Sequence, residues 1–255
     1  MLVQQLEDIR SGIETAYIDG NVVSALSCRP QFISNNRDEG KKVLTSIEEE
    51  LSKCDHFQIS VAFITDSGLE PLLMTLQTLE SKGVKGEILT TNYLTFSEPK
   101  ALKKLHELSN ISLKMYDVDR TGDGFHTKGY IFKKDEVYRI IIGSSNITSF
   151  ALTRNKEWNT KIVSTDQGEV AKEIVKEFDE FWNSPHSLEY EDFYENYKER
   201  FNIIKTQREI ASQEDIVPLD KYKLTPNSMQ VGFISNLRKL VEIGENRALL
   251  ISATG

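Results

Sequence analysis

What this chain has little of narrows its class before any motif is considered. It holds 2 cysteines, Cys28 and Cys54, in 255 residues, too few for a disulfide framework and not spaced as Cys-x-x-Cys. A reducing compartment and packed thiols are therefore expected. No apolar run approaches the roughly 18 residues of a membrane span, and the opening MLVQQLEDIRSG lacks the charged, apolar and small-residue order of a signal peptide. The expectation is a cytoplasmic protein that meets no membrane. Positive charge is also short: 31 Lys and Arg against 39 Asp and Glu give a formal net charge of -8. That excludes a protein that coats nucleic acid by bulk electrostatics, though not a local basic groove. The 4 histidines show no His-x-x-x-His or Cys/His spacing, so no metal site is expected. The run DVDRTGDG at 117–124 begins like a calcium loop, but Lys128 stands where the bidentate Glu belongs, so it reads as a turn.

What is present concentrates between Phe125 and Asn159, FHTKGYIFKKDEVYRIIIGSSNITSFALTRNKEWN. Lys128 to Lys133 and Val137 to Gly143 are rich in β-branched and aromatic residues, with a polar turn between them. A turn centred on Lys134 and Asp135 sets His126 opposite Gly143, and period-two alternation puts His126 and Lys128 on one face. An imidazole and an ammonium then emerge beside the Gly143-Ser144-Ser145-Asn146 loop. Such a set suits a phosphodiester, an anion that repels a water nucleophile until its non-bridging oxygens are neutralised. Lys128 and the amide of Asn146 are expected to neutralise them, with Ser144 as a further phosphate contact. A neutral histidine, with an ordinary pKa of about 6.5, can attack phosphorus and form a phosphohistidine, while a second, protonated histidine serves the leaving oxygen. Glu157 is the candidate to fix an imidazole tautomer.

These residues resemble the phospholipase D superfamily, whose signature is His-x-Lys followed by Gly-Ser-x-Asn and often a later Glu. His126-Thr127-Lys128, Gly143-Ser144-Ser145-Asn146 and Glu157 match it. The usual Asp, five residues after the Lys, is absent: Lys133 occupies its place, with Asp135 the nearest acid. The resemblance implies a metal-independent nuclease acting on DNA without a cofactor. Because one chain carries one His-x-Lys, it also implies a homodimer in which two copies of His126 and Lys128 build one site. Two other functions stay open: a phosphate-binding module without turnover, and a phospholipid-processing enzyme.

Around this segment, helical and strand patterns alternate: a helix over 38–54, a strand over 56–64, a helix over 68–82, strands over 84–90 and 111–116 with a helix over 98–109 between them, then a strand over 158–163 and a helix over 167–182. That order predicts a layered α/β domain with a partly parallel sheet, and the resemblance implies a phospholipase D-like mixed sheet with helices on both faces, here with a C-terminal helical extension. Residues 29–36 read as an extended connector. The expected organisation is an N-terminal helical segment over 1–27, a nuclease domain over 28–186, a helical linker over 187–220 and a new domain beginning at 221. The last part, LTPNSMQVGFISNLRKLVEIGENRALLISATG, resembles the opening of superfamily two helicases. Gln230 matches an adenine-reading glutamine, and Ser-Ala-Thr-Gly, ending at Gly255, the start of a phosphate loop. The chain stops before a Gly-Lys-Thr, so it is read as a truncated nuclease–helicase fusion of a restriction or defence system. ATP is expected only for a complete motor in cis.

Overall fold

A computed structural model describes residues 30–122, 124–213 and 228–245. The expected N-terminal helical segment over 1–27 and the Ser-Ala-Thr-Gly that ends at Gly255 lie outside the described residues. One eight-stranded sheet organises the first unit, in the order β1-β7-β6-β5-β2-β3-β4-β8. Its strands are β1 (Gln31–Ile33), β2 (His56–Val61), β3 (Lys85–Thr91), β4 (Ile111–Tyr116), β5 (Lys128–Lys134), β6 (Val137–Gly143), β7 (Asn159–Thr165) and β8 (Ser187–Glu189). Strands β2, β3 and β4 run parallel, and the remaining pairings are antiparallel. This is the partly parallel sheet that the alternating pattern predicts and the mixed sheet that the resemblance implies.

Both faces are covered. On one side α1 (Val43–Leu51), α2 (Asp66–Ser81) and α3 (Pro99–His106) bury Ile47, Leu72, Leu76 and Leu102 against Phe57, Ile59 and Tyr130. On the other, α6 (Glu169–Trp182) lays Ala171 and Phe178 over Leu89, Ile131 and Ile140. The face switch follows the pleat: Tyr130 and Phe132 of β5 face one core while Ile131 faces the other. Shorter helices, α4 (Val118–Thr121) and α5 (Ser149–Thr153), fill connections. The 117–124 run, expected as a turn, contains α4, which is capped by the Asp117 carboxylate and closed by Gly122 at φ 70.

Three features differ from the sequence expectation. Gln31–Ile33 is an edge strand paired with β7 rather than a connector, because the otherwise open edge of β7 accepts it. The hairpin turn centres on Asp135 and Glu136, since Lys134 pairs with Val137. Asp135 adopts φ 51, which a short polar side chain tolerates. The register therefore moves by two residues, and Lys128 rather than His126 comes level with Gly143. Finally, 187–206 is no linker: β8 pairs with β4, and Phe193 and Tyr197 of α7 (Tyr190–Gln213) enter the main core. The first compact unit extends to Thr206 and the second begins at Gln207. In the second unit, α8 (Ser228–Glu242) carries exposed Phe233, Leu237 and Val241 at helical spacing.

Candidate active site

The carboxyl ends of β2, β3 and β6 meet the start of β5 along one edge of the sheet, where open α/β sheets place their crevices. His126 lies just before β5, and Lys128 is its first residue. Lys128 is 8% exposed, and its Nζ lies 2.6 Å from His126 Nδ1 and donates to the His126 carbonyl at 2.7 Å. Burial lowers the Lys128 pKa, opposed by the negative charge of Glu157. Burial also lowers the His126 pKa, and the Lys128 charge adds to the effect. A neutral imidazole is thus favoured where an ammonium stands beside it. A groove of about 320 Å³ opens on these two residues, floored by Gly129, Ile131 and Ile142 and covered by Phe178 and Phe181 of α6. A larger cavity of about 460 Å³, between Tyr138 and α6, contains none of the site residues.

The Gly-Ser-Ser-Asn loop is held by a set of backbone contacts that the motif spells out. Gly143 pairs with Asn159 so closely that a Cβ there would stand 2.2 Å from the Trp158 carbonyl oxygen. The Ser144 amide donates to the Trp158 carbonyl, and the Ser144 hydroxyl accepts from the Trp158 amide and donates to the Glu157 carboxylate. Ser145 is fully buried, with its carbonyl accepting from Tyr130 Oη at 2.9 Å and its hydroxyl from Asn159 Nδ2 at 2.9 Å. Asn146 Oδ1 accepts from the Phe63 amide at 3.1 Å, which leaves Nδ2 as the end able to donate to a ligand. Ile147 then zips to the strand-end loop after β2 through Phe63 and Thr65.

His126 and Lys128 are thus in contact, and Asn146 joins them through Phe63, whose ring lies 6.3 Å from the imidazole. Glu157 bonds Ser144, while Lys128 meets Nδ1 of His126, so within one chain the carboxylate does not orient that ring. Lys133 sits near the hairpin turn, over the Tyr138 ring at 5.3 Å, about 16 Å along the strand from Lys128. An acid at that position would not reach the imidazole. Gln230 lies on α8, and the groups expected to bind nucleotide are otherwise outside the described residues.

Sequence reasoning missed five contributors. Tyr130 and Asn159 support the loop from beneath, and only the strand register places them there. Tyr93 and Phe96 follow β3 and gather with Phe63 beside His126; their clustering crosses three separate loops, which no local pattern encodes.

A family model described as cardiolipin synthase, phospholipase D-like domain, matches residues 47–182. No curated protein matches. Among solved structures, the chain is similar to NucT from Helicobacter pylori, at 16% identity and TM-score 0.49 over 63% of this chain and 98% of that one. It is similar to a phospholipase D family member, Nuc from Salmonella typhimurium, at 16% identity and TM-score 0.48 over 64% and 99%. A third, phosphatidylserine synthase from Haemophilus influenzae, gives 15% identity and TM-score 0.48 over 80% and 53%. With His126, Lys128 and Asn146 gathered at one sheet edge inside the matched residues, the chain belongs to the phospholipase D-like family.

Proposed function

We propose that the chain is a metal-independent phosphodiesterase that cleaves DNA through a phosphohistidine on His126. The contact of His126 Nδ1 with the buried Lys128 Nζ at 2.6 Å supports this most directly. A phosphate entering the site draws the Lys128 ammonium onto a non-bridging oxygen, where Asn146 Nδ2 adds a second donor. Released from Lys128, the neutral ring gives up its Nε2 proton to solvent as Nδ1 takes one from solvent, and the freed Nε2 lone pair attacks phosphorus. The bond to the leaving oxygen breaks, and that oxygen takes a proton from a second, protonated histidine. Water, deprotonated by the second imidazole, then displaces His126 and frees the phosphate. The single His-x-Lys of the sequence supports a homodimer in which the partner's copy of His126 is that acid. The stretch 221–255 supports a helicase motor in cis, and with it a restriction or defence role.

The test is cleavage of DNA, offered both single-stranded and as duplex, in excess EDTA. Wild type is expected to cut, and His126→Ala to lose at least about a thousandfold in rate. Unchanged cleavage by the variant overturns the reading. The family model's description favours phospholipid as the rival substrate; transfer or hydrolysis on phospholipid vesicles without DNA cleavage would establish it instead. Binding of DNA without cleavage by the wild-type dimer would leave a non-catalytic module.

A further inference from the structure

Three aromatic side chains from two loops surround the nucleophile, and the mechanism above uses none of them. Phe63 follows β2, and after β3 Tyr93 opens a 3₁₀ turn, Tyr93–Thr95, that Phe96 closes. The Phe63 and Tyr93 rings lie within 15° of parallel, at 6.3 Å, and each stands edge-on to His126, also at 6.3 Å. Phe96 meets Phe63 edge-on at 5.1 Å. Tyr93 is 37% and Phe96 42% exposed, a substantial apolar surface kept open beside an ionisable site.

The backbone that presents these rings is costly. Leu94 and Thr95 both adopt positive φ, 52 and 51, a region unfavourable for a leucine and more so for a β-branched threonine. Thr95 is also buried with its hydroxyl unbonded. The turn is pinned on both sides. Asn92 donates to Asp117 and Asp119 and accepts from the Val118 amide, and Ser97 bonds the Ile64 amide while its carbonyl accepts from Tyr197 Oη. Strain held in place by such over-determined anchors collects at sites that act on ligands.

The surrounding charge indicates what the rings face. Asp117 and Asp119, which hold Asn92 beside Tyr93, are paired with Arg120 and Arg200, and the nearby Lys100 and Lys104 are committed to Asp66. A bilayer surface calls for uncommitted cations around an apolar patch, and here these arginines and lysines are each engaged by a carboxylate. A phosphodiester strand would keep its backbone at the Lys128 ammonium and offer a neutral, planar group to the rings. A nucleobase is that group, one sugar away from the phosphorus at His126. Every base has a face that stacks on an aromatic ring, and a base paired inside a duplex cannot present it.

We propose that Phe63, Tyr93 and Phe96 form a stacking platform for one unpaired base next to the scissile phosphate, and hence that the substrate is a single-stranded nucleic acid. This rests on the phosphodiesterase reading, but it is tested without turnover. Fluorescence anisotropy on the full chain compares a short oligothymidylate with a base-free strand of equal length. Wild type is expected to prefer the base-bearing strand. Tyr93→Leu and Phe96→Leu should each weaken that binding by about tenfold and leave the base-free strand unaffected, whereas Tyr93→Phe should retain the preference. Thermal melting at the wild-type temperature shows that the variants fold. Equal wild-type affinity for the two strands, or an undiminished preference in Tyr93→Leu, overturns the proposal. So does a Tyr93→Leu variant that loses only its binding to anionic phospholipid vesicles, which would place the rings at a bilayer. Failure of His126→Ala to stop cleavage would remove the phosphohistidine and not the platform.

Discussion

Burial and a neighbouring ammonium act in the same direction on His126, pulling its pKa below the ordinary imidazole value. A reaction that needs one neutral and one protonated copy of the same histidine runs fastest near the pKa of the coupled pair. The pH profile of kcat/KM on DNA is therefore expected to be a bell with its optimum on the acid side of about 6.5. Above it the proton donor is lost; below it the nucleophile is lost. Lys128→Met removes the charge that contributes to the lowering, so its residual activity should peak at higher pH. An optimum well on the alkaline side in wild type would contradict the assigned roles. Lys133 makes the opposite prediction. It sits by the hairpin turn and stacks its ammonium over Tyr138, so Lys133→Asp restores the family's usual residue without placing a carboxylate at the site. DNA cleavage by that variant should match wild type, and a clear gain would mean that the strand end communicates with the chemistry. Cys54 is outside the chemistry: burial pushes its thiol up to about 11, so it stays protonated and unreactive.

At the scale of elements, the crossing of β6 and β7 fixes the phosphate loop. Gly143→Ala drives a methyl against the Trp158 carbonyl and the Asn159 side chain. It should cost about 1–3 kcal/mol in chemical denaturation and reduce turnover by displacing Ser144 and Asn146. Gly86→Ala is a control of equal steric severity, since its Cβ would enter the Phe57 ring at 2.0 Å. Its loss should appear in stability, with turnover per folded molecule kept. Beneath the sheet, buried Glu50 holds Lys161 at 2.8 Å, with Arg139 3.6 Å away. Glu50→Ala leaves a buried lysine unpaired and should destabilise by about 3–5 kcal/mol, read as a lower denaturant midpoint.

Most of these elements were legible in the sequence. Ile111–Tyr116 forms the strand over the residues its alternation marks, and the helices over 66–81 and 169–182 begin and end within two residues of their patterns. Short pieces were not legible. Strands β1 and β8 have 3 residues each, too few for a period, and exist because the sheet edges beside β7 and β4 accept them. The hairpin register was off by two because one residue with positive φ decides the turn, and Asp135 and Lys134 are both polar enough to be chosen. In the site, His126, Lys128 and Asn146 were legible from spacing. The partner of Glu157 was not, because it depends on how the loop after β6 passes the start of β7. The Phe63–Tyr93–Phe96 cluster was not either, because it forms only when the ends of β2 and β3 come together.

For the whole molecule, the claim of one shared site has direct consequences. Sedimentation should show a dimer at concentrations where DNA is cut, and an active monomer would contradict it. Mixed dimers of wild type with His126→Ala should lack turnover, since each site would miss either its nucleophile or its acid. The net charge of -8 sets a further expectation, that DNA binding is local to the His126 edge and weakens with salt only as a few phosphate contacts require. The most direct test of the account is acid quenching of the wild-type protein with labelled DNA, followed by mass spectrometry of the peptides. The expected result is a phosphodiester-linked nucleotide on His126. DNA cleavage accompanied by an adduct on any other residue would contradict it.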